Sequence, residues 1–192
     1  MKRSKKVYLM IFIFLLSFPF LVLISCSKEQ GIYKIGVIGP FTGEGATYGA
    51  AMKRGIELAL EEINASGGIN GNRLVAIYED SKLLPKEGVN AFNKLVQIDK
   101  VPVIIGAAAS RVTLAIAPLA QKNKVVLLSS ISTSDSLRHV GDFIFRNVPP
   151  NSIQGKTAAY FIIQKLHKRK VAIFYKNDEY GSDLTKSFKK FF

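Results

Sequence analysis

Three stretches of this sequence combine small hydroxylated side chains with glycine, a mixture suited to gripping a small anion. They are Gly39–Tyr48 (GPFTGEGATY), Gly106–Ser110 (GAAAS) and Ser129–Ser134 (SSISTS). Hydroxyls donate to a carboxylate, and a helix N-terminus behind them adds unpaired N–H groups and partial positive charge. The competing use of each stretch is ordinary helix capping by Ser or Thr. Capping explains any one of them better. Three along one edge of a sheet point to a binding site.

Bond-making chemistry has less to stand on. His139 and His167 are the only histidines, and neither has a second ligand at metal spacing. A G-x-S-x-G elbow and a Walker glycine–lysine loop are both lacking. Gly43-x-Gly45 follows a strand and opens a helix, and Asp80 ends the second strand, where a ribose-binding acid would sit. The next glycine, Gly49, falls one residue too far for G-x-G-x-x-G. A dinucleotide-dependent enzyme is therefore a remote alternative. The expectation is a binding protein with no cofactor, no metal and no catalytic residue.

The elements that must carry these stretches alternate. Tyr33–Ile38 is a β-branched run ending in Gly-Pro. Tyr48–Ala65 has apolar residues Ala51, Met52, Ile56, Ala59, Leu60 and Ile63 at helical steps, closed by Gly67-Gly68. Leu74–Tyr78 reads as a strand, Lys86–Gln97 as a helix with Val89, Phe92, Leu95 and Val96 inward, and Val101–Ile105 as a strand. Arg111–Lys122 reads as a helix, with a kink or late start expected at Pro118, and Val125–Leu128 as a fourth strand. Short apolar strands between amphipathic helices predict an α/β fold, a parallel sheet covered by helices on both faces. Phe143–Arg146 is a further extended piece, and Val148-Pro149-Pro150 breaks the rhythm. Beyond it a helix (Ser152–Leu166), a strand (Val171–Tyr175) and another helix (Ser182–Phe192) begin the alternation again, as the start of a second α/β lobe whose remainder would lie beyond this sequence.

Ahead of the fold lies a leader. Lys2, Arg3, Lys5 and Lys6 precede an apolar run from Val7 to Ile24, and the single cysteine, Cys26, follows Ser25. This layout predicts a lipoprotein signal over residues 1–25, lipidation at Cys26 and a tether over 26–31. A membrane-spanning helix is the alternative, but the small residue before Cys26 favours cleavage. With its one cysteine lipidated, the chain has none left for an internal disulfide. The formal charge is +13, four units of it in the leader. The one dense basic cluster, Lys165, Lys168, Arg169 and Lys170, reads as a helix end, where cations favour the dipole. Without aromatic interleaving, no nucleic-acid partner is expected, only a solvated basic surface near an anionic membrane.

The stretch YKIGVIGPFTGEGATYGAAMKRGIELALEEINASGGINGNRLVAIYED resembles the opening of the type I periplasmic binding proteins of the leucine/isoleucine/valine-binding family. VPVIIGAAASRVTLAIAPLAQKNKVVLLSS and KVAIFYKNDEYGSDL are similar to that family too. The patterns G-P-x-T-G then Y-G, I-N-x-x-G-G-I-x-G, I-I-G then S, and N-D-x-Y-G agree in order, over nearly all of residues 32–192. The resemblance implies two α/β lobes that close on a ligand: a first lobe over 32–147, incomplete without a C-terminal return, and the start of a second over 148–192. It implies that Ser110 takes an amino acid's carboxylate, that Thr133 contacts the same head group, and that Ile131 offers a carbonyl to the ammonium. It also implies that Tyr48 stands at the mouth and that Tyr180 packs over the ligand on closure. Arg111 departs from the small polar residue usual there and reads as solvated helix surface, or else as a ligand for a second anionic group.

By the same resemblance the chain is an extracytoplasmic, lipid-anchored solute-binding component of an ABC importer. It would take an amino acid, branched-chain or related, and pass it to permease and ATPase subunits. The ligand-binding ectodomain of a signalling receptor is the alternative that can use the same fold.

Overall fold

The computed structural model describes residues 30–192. The leader and Cys26 lie outside them. Five parallel strands form one sheet in the order β2-β1-β3-β4-β5. They are β1 (Ile32–Gly39), β2 (Arg73–Asp80), β3 (Val103–Gly106), β4 (Val126–Ser129) and β5 (Ile144–Arg146). Helices α1 (Ala46–Ala65), α2 (Pro85–Asn93, continued by a π-turn over Lys94–Ile98) and α3 (Ser110–Asn123) make the crossovers. From β1 the chain steps outward to β2, then crosses back over β1 to β3. With right-handed crossovers this puts α1 on one face and α2 and α3 on the other. The reversal between β1 and β3 is a topological switch point, where the loops leaving the two strands diverge and open a crevice.

The core lies under α2 and α3. Phe92, Leu95, Ile104, Val112, Ile116 and Leu127 have no solvent exposure and form one cluster with Ile38. Phe92 and Leu95 point inward as their spacing predicts, while Val89 and Val96 pack at the margin. Gly88 lets the two helices meet, since a Cβ there would stand 2.4 Å from Val112 Cγ1. The third strand begins at Val103, two positions later than the apolar run suggests. Lys100 turns in the left-handed region (φ 58°), the Val101 amide is still bonded to the Leu95 carbonyl, and the ladder begins at Val103.

Three further expectations are corrected. The apolar stripe of α1 is only partly covered: Leu60 is buried, Met52, Ile56 and Ile63 are half-buried, and Ala51 and Ala59 are exposed. The helix rides over β1 and β2 at the sheet's edge, and among the described residues no second helix packs beside it. The strand expected over Val171–Tyr175 does not form. The segment is exposed and joins no ladder, and among the described residues no strand pairs with it. Pro118 neither delays nor breaks α3, which runs from Ser110 to Asn123 with the proline on an exposed position.

Helices α4 (Asn151–Tyr160, with a π-turn over Phe161–Lys165) and α5 (Glu179–Phe191) pack closely on each other. Gly155 permits it: a Cβ there would lie 2.6 Å from the Phe188 amide nitrogen. Ser187 donates to the Ser152 carbonyl (3.2 Å), and Tyr160 meets Phe191 edge-on.

The central position of Phe92 makes a test of this core. Phe92→Ala should lower the unfolding free energy by about 3–5 kcal/mol in urea titrations, whereas Leu58→Ala, on an exposed face of α1, should cost under about 0.5 kcal/mol. Equal small effects would contradict the packing described.

Candidate functional site

The loops leaving β1, β3 and β4 meet at the carboxyl edge of the sheet, and each is fixed by its own polar bonds. In the first loop, the Asp80 carboxylate at the end of β2 accepts from the Phe41 amide (2.8 Å), the Lys82 amide (2.9 Å) and the Thr42 hydroxyl. Burial pushes that carboxyl upward, but the bonds from Thr42, Lys82 and Phe41 outweigh it and hold its pKa below the usual carboxylate value. Asp80 is thus spent on bracing the loop and not poised for a ribose. Gly49 brings α1 against this loop, with a would-be Cβ 2.3 Å from the Pro40 carbonyl oxygen. That contact sets Tyr48, 65% exposed, at the rim.

The second and third loops share one carbonyl. Ser129 and Ser132 donate their hydroxyls to the Ala107 oxygen at 2.9 and 3.1 Å. Thr113 Oγ1 lies 2.7 Å from Ser132 Oγ and 3.3 Å from the same carbonyl. The Ala109 carbonyl, 3.2 Å from Thr113 Oγ1, is a further acceptor for the Thr113 proton. The Ser132 amide closes the group on Ser129 Oγ (3.1 Å). Every hydroxyl in this buried cluster has a partner.

Two hydroxyls beside it do not share that arrangement. Ser110, 4% exposed, opens α3, and its Oγ accepts from the Ser134 amide (3.3 Å), which leaves its proton uncommitted. Thr133, 9% exposed, has a buried Oγ1 with no hydrogen-bond partner. A buried hydroxyl left unpaired costs about 1–3 kcal/mol, so one that persists calls for an explanation. Ser110 and Arg111 hold the first amides of α3, ahead of the Val112 and Thr113 amides that turn back to the Ala109 carbonyl. Ile131, in the third loop, has a carbonyl that accepts no backbone hydrogen bond.

These groups line one cavity of about 360 Å³, together with Tyr48, Leu83, Ala108, Ala109, Gln154, Lys176, Asp178 and Tyr180. Tyr48, Ser110, Ile131, Thr133 and Tyr180, singled out from the sequence, therefore share one wall-to-wall space. Tyr180, 42% exposed, sits in the first turn of α5, which Asp178 caps by accepting from the Gly181 amide (3.0 Å). The third loop is tied to that turn. The Asn151 amide donates to the Thr133 carbonyl (2.8 Å), its Nδ2 to the Tyr180 carbonyl (3.1 Å), and the Ser134 hydroxyl to Asp183. A larger cavity of about 660 Å³ lies between α4, α5 and residues 171–176. It is lined mostly by apolar side chains and lacks an unpaired buried donor, so the smaller one suits a polar ligand better.

Arg111 corrects the sequence reading. It is half-buried, lines the cavity, and its Nε donates to the Leu83 carbonyl (2.9 Å). Leu83, Gln154, Lys176 and Asp178 were not singled out from the sequence. Asp178 carries a signal, since it stands at the N-cap in N-D-x-Y-G. Leu83 carries none, because it holds a left-handed backbone (φ 58°) that a branched side chain rarely adopts. Among the described residues, no group of three or more His, Cys, Asp or Glu is placed to hold a metal ion, and no helix is long and apolar enough to cross a membrane.

The model of the periplasmic binding proteins matches residues 32–192. The chain belongs to that family. Over 156 residues it is 31% identical to the Leu/Ile/Val-binding protein homolog 3 of Brucella melitensis, covering 81% of this chain and 42% of that protein. The fold superposes on the branched-chain amino acid transporter substrate-binding protein LivJ from Streptococcus pneumoniae, solved with isoleucine. The TM-score is 0.79 at 34% identity, over 83% of this chain and 46% of that one. It also matches a solute-binding protein of an ABC transporter from R. palustris, solved with 4-hydroxybenzoate, with a TM-score of 0.76 at 26% identity over 83% of this chain and 43% of that one. The chain thus spans about two-fifths of the length of the curated relatives it matches.

The Asp80 brace yields a pH test. A carboxylate whose folded pKa lies below its unfolded value of about 3.9 stabilises the fold above that value, and the contribution is lost as pH falls through the folded value. Asp80→Asn should lower stability at pH 7 and flatten the decline below about pH 4, read from urea titrations between pH 3 and 7. A profile parallel to the wild type would rule out the brace.

Proposed function

We propose that this chain is the ligand-gripping part of the solute-binding component of an ABC importer. It captures a small carboxylate, an amino acid of the branched-chain class or a relative of it, and delivers it to permease and ATPase subunits without making or breaking a bond. Residues 32–147 form the first lobe and residues 148–192 open a second. Residues 1–25 direct export and Cys26 carries the lipid that holds the protein at the outer side of a bacterial membrane.

The observation that carries this reading is that Thr133, whose buried Oγ1 has no hydrogen-bond partner, lines the same cavity as Ser110 and Arg111, with which α3 begins, the Ser110 hydroxyl proton being uncommitted. Hydroxyl donors beside a helix N-terminus suit a carboxylate. The carboxylate is also what isoleucine and 4-hydroxybenzoate, the ligands of two matched structures, have in common. The Ile131 carbonyl supplies an acceptor for an ammonium. Tyr48 and Tyr180, both exposed and lining the cavity, offer apolar faces to the rest of the ligand.

Calorimetry of the full-length protein against amino acids, hydroxybenzoates, a sugar and a nucleoside tests the reading. A carboxylate ligand should bind, and Ser110→Ala and Thr133→Val should each weaken it about 10-fold or more, as for a lost hydrogen bond to a charged group. Thr133→Val should leave the unliganded protein as stable as before, or more so, because it removes an unpaired hydroxyl. Tight binding of the sugar or the nucleoside alone would sink the assignment.

A further inference from the structure

Arg111 is placed as a side chain waiting for an anion. It is the second residue of α3, where a cation opposes the helix dipole. Its Nε is pinned to the Leu83 carbonyl, and no carboxylate of the described residues lies within ion-pair distance of its guanidinium. The guanidinium is thus anchored through Nε on a half-buried residue that lines the cavity and has no acidic partner among the described residues. The other charges there do not offset it. Asp178 is committed to the Gly181 amide and lies 3.8 Å from Lys176 Nζ, which also stands 3.8 Å from Glu44.

With Lys176 placed between Asp178 and Glu44, Arg111 is the cation of this cavity that has no carboxylate beside it among the described residues, and it stands at a helix N-terminus. A ligand with a single carboxylate and an aliphatic side chain satisfies Ser110 and Thr133 but desolvates Arg111 without pairing it, which is costly. A ligand with a second carboxylate meets a fork whose planar geometry matches it bidentately. Resting on the reading of this cavity as an amino acid site, we infer that Arg111 is a specificity-determining residue that takes a second anionic group. The preferred ligand is then of the acidic amino acid class, not the aliphatic one.

The test is calorimetry of the full-length protein with L-glutamate and L-leucine, on the wild type, Arg111→Leu and Arg111→Lys, each checked for an unchanged thermal transition. The wild type should prefer glutamate by at least about 10-fold. Arg111→Leu should weaken glutamate by about 10- to 100-fold, as for a lost charge-assisted pair, and leave leucine unchanged or tighter. Arg111→Lys should fall between, keeping the charge without the fork. A wild type that prefers leucine overturns the inference and leaves the amino acid reading standing. An equal loss of both ligands in Arg111→Leu also overturns it, by assigning the guanidinium to the shared α-carboxylate. Failure of both amino acids, with another compound bound, brings down the reading of the cavity itself.

Discussion

The Ala107 carbonyl is the point on which the edge of this sheet turns. It lies just past β3, where a buried loop must satisfy its backbone away from water. Ser129 and Ser132 reach it from the end of β4, and Thr113 joins them from inside α3. Two hydroxyls from the third loop and one from α3 are thereby gathered around one oxygen. Each bond is worth only about 0.5–1.5 kcal/mol net, but breaking any one would leave a buried group unpaired at larger cost. The cluster therefore fixes the third loop relative to the start of α3 as one piece. Its closure also decides which hydroxyls remain. Ser110 and Thr133 flank the cluster without belonging to it, so the same sequence that supplies the structural bonds leaves two donors over for a ligand.

A second set of bonds extends this fixed edge toward the C-terminal helices. Asn151 has no exposure, and it holds the Thr133 carbonyl by its amide and the Tyr180 carbonyl by its side chain. Ser134 adds a bond to Asp183, and Arg146 donates to the Ser134 carbonyl at 2.7 Å. The third loop and the first turn of α5 are thus coupled through polar groups, while α4 and α5 approach each other closely around Gly155 and Phe188.

Most of the sheet was legible because its determinants are local. Apolar strands of four or more residues, helical spacing in Phe92 and Leu95, and Gly67-Gly68 closing α1 each carry their own signal in a short window. The places where the reading failed depend on what lies beside the element. Ala51 and Ala59 sit on an apolar stripe, yet no neighbouring helix covers them. Val171–Tyr175 has the composition of a strand, but a strand exists only by pairing, and composition says nothing of the partner. The site divides in the same way. Ser110, Thr133 and Tyr180 stand out through hydroxyls and motif spacing, whereas Leu83 reaches the cavity through a backbone turn that its side chain does not advertise. Arg111 looked like surface because charged residues usually are. What overrides that prior is a single tertiary bond to Leu83.

The glycine pattern of the first loop shows how little a motif fixes without its surroundings. Gly43, Gly45 and Gly49 after a strand, with an acid at the end of the next, make most of a dinucleotide fingerprint. In this fold the same parts do other work. Gly45 and Gly49 let α1 close on Pro40, so tightly that a Cβ at Gly49 would meet its carbonyl, and the space a pyrophosphate needs is filled by the chain's own loop. Asp80 turns inward to the Phe41 and Lys82 amides. With the first loop closed on itself, the free N–H groups nearest the switch point belong to α3 and not to α1. The hydroxyls left over by the structural bonds therefore lie one strand along, beside Ala107. The cavity that Ser110 and Thr133 line with Tyr48 and Tyr180 measures about 360 Å³, the scale of a small molecule.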